Sequence, residues 1–358
     1  VEAQSVPRPA PPAPAPGRTR LAWGPVGWEL TSGDPAEHRW FAAHLSVTGD
    51  HLPYAAPLRT FRIEVRTGAS DAWRGAAGPV ALIRDVPHHR TLVEGRPAWV
   101  RAGGAPYAYV HRGGDDWLVL REERGADRFR PAETLAAELL NVTLAGLGGT
   151  TVHASAATAP HGTLFAGASG TGKSTLALAL AAGGGAFIAG DRSVLLPGEH
   201  RWYVAGAAVA ARFGRGTLHA TGHAGRVAAA RLLRHGSAAP APKSPKALLT
   251  QTELHGLLGT RTSAGAPLAR VALLEHTADA APAVTRVPPD EAAPLLLTHL
   301  LPAPAPWWDG SPPPAVLAPC PPVPTFRVRW NPVAHPAGTV LRLLDGAGAA
   351  GRVGSRAS

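Results

Sequence analysis

Gly167-Ala168-Ser169-Gly170-Thr171-Gly172-Lys173-Ser174-Thr175 fits G-x-x-x-x-G-K-[ST], the spacing of a P-loop that cradles phosphates. Its three glycines let the backbone approach a polyphosphate closely, with N–H groups and a following helix N-terminus facing the negative charge. Lys173 would reach the β- and γ-phosphates, and the Ser174 hydroxyl would sit on Mg²⁺. The lysine is informative because the chain holds 35 Lys+Arg, of which only Lys173, Lys243 and Lys246 are lysines. A compact ammonium therefore falls at the one position where the motif needs it. The expected cofactors are ATP, with GTP left open, and Mg²⁺.

Two further residues could do chemistry beside this loop. Asp191 ends the apolar run Ala186-Phe187-Ile188-Ala189-Gly190. It would accept the proton of an attacking hydroxyl or hold Mg²⁺, and both roles stay open. His153 would hydrogen-bond Asp191 or the γ-phosphate, or else be a satisfied core histidine. Arg212, Arg215 and the basic run Lys243-Ser244-Pro245-Lys246 are secondary candidates for phosphate or substrate contact. Glu275, at the end of Val271-Ala272-Leu273-Leu274, superficially resembles a Walker B carboxylate and is expected to be structural.

These residues need strands and a helix to hold them. Gly162-Thr163-Leu164-Phe165-Ala166 predicts a buried strand before the loop, and residues 176–182 an Ala/Leu helix that stops at Gly183-Gly184-Gly185. Residues 150–156 predict a strand carrying His153, joined to the loop strand through Pro160-His161-Gly162. Val194-Leu195-Leu196 and Trp202-Tyr203-Val204 predict two more, paired across Pro197-Gly198. Pro131 opens a predicted helix with Leu135, Leu139 and Val142 on one stripe, closed by Gly148-Gly149 and expected to pack on the nucleotide sheet.

The chain divides into a Pro/Ala-rich disordered tail (1–20), a β-rich N-terminal domain (21–128), a P-loop kinase domain (129–301) and a Pro-rich C-terminal extension (302–358). In the N-terminal domain, Phe61, Ile63 and Val65 alternate with Arg62, Glu64 and Arg66, the period of a half-buried strand. Gly113-Gly114-Asp115-Asp116 predicts a hairpin turn with solvated carboxylates, and His88-His89 a surface pair. Leu248, Leu249, Leu254, Leu257 and Leu258 predict a helix covering the sheet. In the extension, Trp307-Trp308 falls in irregular chain, Phe326-Arg327-Val328-Arg329-Trp330 predicts a last strand, and residues 340–344 a short helix.

Composition narrows the class. The net charge of +10 raises the question of nucleic acid, but the arginines are scattered, without a basic run or an aromatic-interleaved RNA motif. Cys320 is the single cysteine, which rules out an internal disulfide framework and a cysteine-based metal site. No stretch has signal-peptide or transmembrane character, so the expectation is a soluble cytoplasmic protein without a membrane partner.

His153, the P-loop after it and Asp191 after the next helix and strand together resemble the HPr kinase/phosphorylase family. The resemblance is carried by residues 149–196, is looser to about residue 300, and is absent from the N-terminal region. It implies an α/β fold like that of phosphoenolpyruvate carboxykinase, transfer of the ATP γ-phosphoryl group to a protein serine, and a possible homo-oligomer. Gly190-Asp191 stands where the family has two aspartates, so only Asp191 carries over. The family's Glu-x-Arg-Gly signature is missing, with Arg212-Phe213-Gly214-Arg215-Gly216 as a remnant. Related proteins of peptide natural-product pathways phosphorylate a serine of a precursor peptide, which suggests a peptide or small-protein substrate. A nucleotide-dependent switch and a kinase of a small-molecule hydroxyl are the alternatives.

Overall fold

The computed structural model describes residues 17–68, 73, 76–83, 86–122, 128–206, 211–225, 227, 246–278, 281–302, 304, 307–308 and 321–353. Residues 1–16, Lys243-Ser244-Pro245 and Cys320 lie outside this set. The fold is mixed α/β with two large sheets.

The first sheet is built from β1 (Gly17–Trp23), β2 (Val26–Ser32), β3 (Arg59–Thr67), β4 (Val80–Ile83), β5 (Val86–Val93), β6 (Arg96–Arg101), β7 (Tyr107–Gly113) and β8 (Asp116–Arg121). Its order is β1-β2-β3-β8-β7-β6-β5-β4. The β7–β8 hairpin forms at the predicted turn, where Asp115 and Asp116 are paired with Arg59 and Arg62. Three expectations change here. The first strand begins at Gly17, inside the stretch expected to be a tail. A helix, α1 (Pro35–Leu45), stands where only strands were expected, capped by Asp34 and opened by Pro35. It is the crossover that lets β2 and β3 run parallel. His88 is not a surface residue: it is fully buried, bonded to the Val86 carbonyl at 2.8 Å and to the Tyr107 hydroxyl at 3.2 Å.

Next comes α2 (Arg130–Gly146), formed where Pro131 and Gly148-Gly149 mark its ends. Its partners differ from those expected. Leu135, Leu139, Leu140 and Leu144 share one core with Trp28, Phe61 and Trp117 of the first sheet, and with Val194 and Leu196 of the second. Thirteen of its residues are buried, so it joins the two sheets instead of covering one.

The second sheet carries the glycine loop. It comprises β9 (Thr150–Val152), β10 (Ala154–Thr158), β11 (Gly162–Gly167), β12 (Ala186–Ala189), β13 (Ser193–Pro197), β14 (Trp202–Gly206), β17 (Arg261–Thr262), β18 (Gly265–His276), β19 (Ala283–Val287) and β20 (Thr325–Trp330). Its main order is β17-β12-β10-β11-β18-β14-β13-β9, with β20 on β18 and β19 on β20. Beside it, β15 (Ala211–Gly214) pairs β16 (Lys246–Leu249), so Leu248 and Leu249 are in a strand where a helix was expected.

Helices cover both faces. On one lie α3 (Lys173–Ala182), α4 (Arg215–Ala220), α5 (Gln251–Leu258) and α7 (Ala337–Val353), packed with Phe165, Phe187 and Phe326. On the other lies α6 (Pro289–Leu297), with Ala292 and Leu296 against Leu164, Ala166 and Val271. Phe165 and its neighbours Leu164 and Ala166 thus point to opposite faces, as strand geometry requires. Because β20 pairs along β18 and α7 packs on α3, the loop-bearing sheet continues well past residue 301.

Candidate functional site

The loop lies between β11 and α3, next to the parallel strand β18, whose Leu274 is in register with Gly167. Ala168, Ser169 and Gly170 form an exposed rim. Behind it the loop is tightly held. Thr171 Oγ1 donates to the Ala168 carbonyl at 2.9 Å, and the Lys173 ammonium donates to the carbonyls of Gly167 and Ala168 at 2.8 and 2.9 Å. Lys173 is buried at the start of α3, so its charge is held at the loop rather than free on a flexible stem.

Trp330 closes the loop from behind. Its indole N–H donates to the Thr171 carbonyl at 2.9 Å. Gly172 has φ +89°, a backbone conformation that disfavours a Cβ, and a Cβ there would run into the Trp330 ring. Gly172 is also the N-cap of α3, and no side chain caps that helix. The first-turn N–H groups therefore face the loop with no capping side chain.

Ser155, fully buried on β10, was not singled out by the motif. Its hydroxyl donates to the Gly190 carbonyl and lies 3.2 Å from Ser174 Oγ. One side chain thus ties the start of α3 to the end of β12, at Gly190, which half-buried Asp191 follows in the chain. A lone hydroxyl between Ala154, Ala156 and Ala157 is the sequence signal that could have revealed it. Thr175 Oγ1 lies 3.0 Å from Thr217 Oγ1, fixing α4 against α3 and placing exposed Arg215 at the near end of α4. Exposed Arg212 follows Ala211, which packs near Gly190.

His153 sits at the break between β9 and β10, where the expected single strand switches from β13 to β11 and β12. Its backbone N–H donates to the His299 carbonyl at 2.7 Å. His299 follows α6 and is a second residue that motif reading missed. Burial holds its imidazole below the ordinary histidine range, and the charges of Lys173 and His153 lower it further.

Ser174 and Asp191 offer one hydroxyl and one carboxylate, a donor set suited to Mg²⁺, which takes few protein oxygens and completes its shell from phosphates and water. Among the described residues, no group of three or more His, Cys, Asp or Glu converges on a metal position. Other candidates lie elsewhere or are engaged. The Glu275 carboxylate is held by Arg327 at 3.0 Å and Arg329 at 3.5 Å, in keeping with a structural role. A depression of about 490 Å³ on the first sheet holds Arg18, Arg62 and Arg112, each already paired with Glu29, Asp116 or Glu64.

The chain matches no protein-family model, and no curated protein matches its sequence. Among the described residues, no helix is long and apolar enough to cross a membrane.

Proposed function

We propose that the Gly167–Thr175 loop binds the phosphates of ATP or GTP and that the protein transfers the γ-phosphoryl group to a hydroxyl. The family resemblance favours a serine of a peptide or small protein as acceptor. The observation that supports the reading is the Ser155 tie, which links the Ser174 hydroxyl to the Gly190 carbonyl, one residue before Asp191, beside a loop whose lysine is buried. A phosphate cradle, a metal-binding hydroxyl and a carboxylate are the parts that phosphoryl transfer needs in one place.

In this reaction the acceptor oxygen bonds to the γ-phosphorus, the bond to the β,γ-bridging oxygen breaks, and ADP or GDP leaves. The hydroxyl proton passes to the Asp191 carboxylate, or Asp191 holds the metal while the proton leaves to water. Lys173 offsets charge on the β- and γ-phosphates, and loop N–H groups position them. Ser174 and Asp191 would hold Mg²⁺, which neutralises phosphate charge when bound.

Gly190, where the resembling family has a second aspartate, favours one rival: a nucleotide switch that binds without transferring. Intact-mass analysis separates the two. Serine peptides encoded beside this gene, incubated with the protein, Mg²⁺ and ATP, should gain one phosphate, and Asp191→Asn should lower that rate at least about a hundredfold. Nucleotide binding with no mass gain would establish the switch, or an acceptor that is not a peptide.

A further inference from the structure

The segment after α6 runs antiparallel to β9 at the edge of the site. The Leu301 N–H donates to the Thr151 carbonyl at 2.9 Å, His153 donates to His299 at 2.7 Å, and Val152 bridges Leu300 between them. In this register His299 stands directly opposite His153. Opposed residues of an antiparallel pair place their side chains on one face, with Cβ atoms about 5 Å apart. Both histidines are half-buried. We infer that His299 is a further phosphate-contacting residue of this site: together with His153 it forms a two-imidazole wall that meets the terminal phosphoryl group. This inference rests on the nucleotide reading above and adds a residue that the loop motif does not supply.

Three observations support the assignment. Both main-chain groups of His299 are bonded, its N–H to the Leu296 carbonyl at 3.0 Å and its carbonyl to the His153 N–H, so its backbone is fixed without relying on side-chain bonds. Ala154 pairs with Ala166, two residues before the loop's Ala168, so His153 and the His299 opposite it lie at the loop end of β10. Burial with the charges of Lys173 and His153 favours the neutral ring, and a neutral imidazole presents one N–H to an anionic oxygen. An ATP γ-phosphate bound beside Lys173 would present such an oxygen, whereas ADP would not extend that far.

Calorimetric titration with Mg²⁺ plus ADP, and with Mg²⁺ plus the β,γ-imido analogue of ATP, tests this. His299→Ala should weaken the triphosphate analogue about tenfold, the value of one hydrogen bond to a charged group, and change ADP affinity less than about twofold. His299→Gln keeps an N–H donor and should recover most of the loss, which also guards against a fold defect in the alanine variant. Equal weakening of both nucleotides, or none, would overturn the assignment while leaving the nucleotide reading intact. Failure of the unmodified protein to bind either nucleotide would overturn both.

Discussion

The Ser155 hydroxyl has two partners, the Gly190 carbonyl and the Ser174 hydroxyl. Ser155→Ala leaves that carbonyl without the bond, at a cost of about 1–3 kcal/mol. It should also loosen the Gly190-Asp191 end of β12 from the start of α3, so phosphoryl transfer should need more Mg²⁺ to reach its maximum. Denaturant midpoints read the first effect and a Mg²⁺ titration of the transfer rate reads the second. Away from the site, Glu37 is buried against Arg121, whose Nη2 lies 2.7 Å from its Oε2. Burial outweighs the guanidinium and raises Glu37 from 4.5 to about 7. Its stabilising share is therefore complete below pH 4.5 and lost as the pH rises through about 7, a change of about 3 kcal/mol. Buried His88 works in the opposite sense. Burial and the Arg101 charge lower it from 6.5 to about 4, so its share is complete above 6.5 and lost as the pH falls through about 4. The two offset each other between pH 4.5 and 6.5. Glu37→Gln should make stability rise with pH across that window, as measured by urea unfolding; a profile as flat as the parent's would contradict the balance.

Among the elements, β20 does two jobs: it extends the loop-bearing sheet, and its Trp330 backs the loop. Trp330→Phe keeps most of the aromatic surface behind Gly172 and removes the N–H bond to Thr171. It should cost about 1 kcal/mol of stability and weaken nucleotide binding more than it changes the fold, seen by comparing thermal midpoints with affinities. The elements around the loop were legible because each has a strong local signal. The β10–β11 hairpin, β12 ending at Gly190-Asp191, and β13 paired with β14 all appear where apolar runs and turn residues put them. Others were not. In α1 the capping Asp34 and Pro35 were present, but Arg39, Trp40 and His44 blur its apolar stripe. Leu248 and Leu249 look helical beside Leu254 and Leu258, yet the Thr250–Glu253 capping box starts the helix after them. His153 breaks a run that reads as one strand, because pairing with different neighbours on its two sides depends on distant chain. His299 was out of reach for the same reason: register across the sheet brings it opposite His153, not any spacing along the sequence.

Over the whole molecule, the two sheets are not separate modules. Alongside the core shared through α2, the Trp23 indole of β1 donates to the Ala264 carbonyl at 3.2 Å, and Thr48 exchanges bonds with Thr262. Trp307 and Trp308, read in the sequence as irregular chain, pack into the aromatic cluster of Trp99 and Trp117 on the first sheet. Earlier in the chain, the His299 carbonyl accepts from the His153 N–H of the second sheet. The loop is legible from its motif alone, whereas the core that α2 shares between the two sheets depends on contacts distant in the sequence. Nucleotide binding at the loop is the central proposal, and its direct test is calorimetric titration of Mg²⁺-ATP into the protein and its Lys173→Ala variant. A nucleotide site there should bind saturably and weaken at least about tenfold in the variant, from the loss of a charge-assisted contact to phosphate. Equal affinity in the two proteins, or no binding to either, would contradict it.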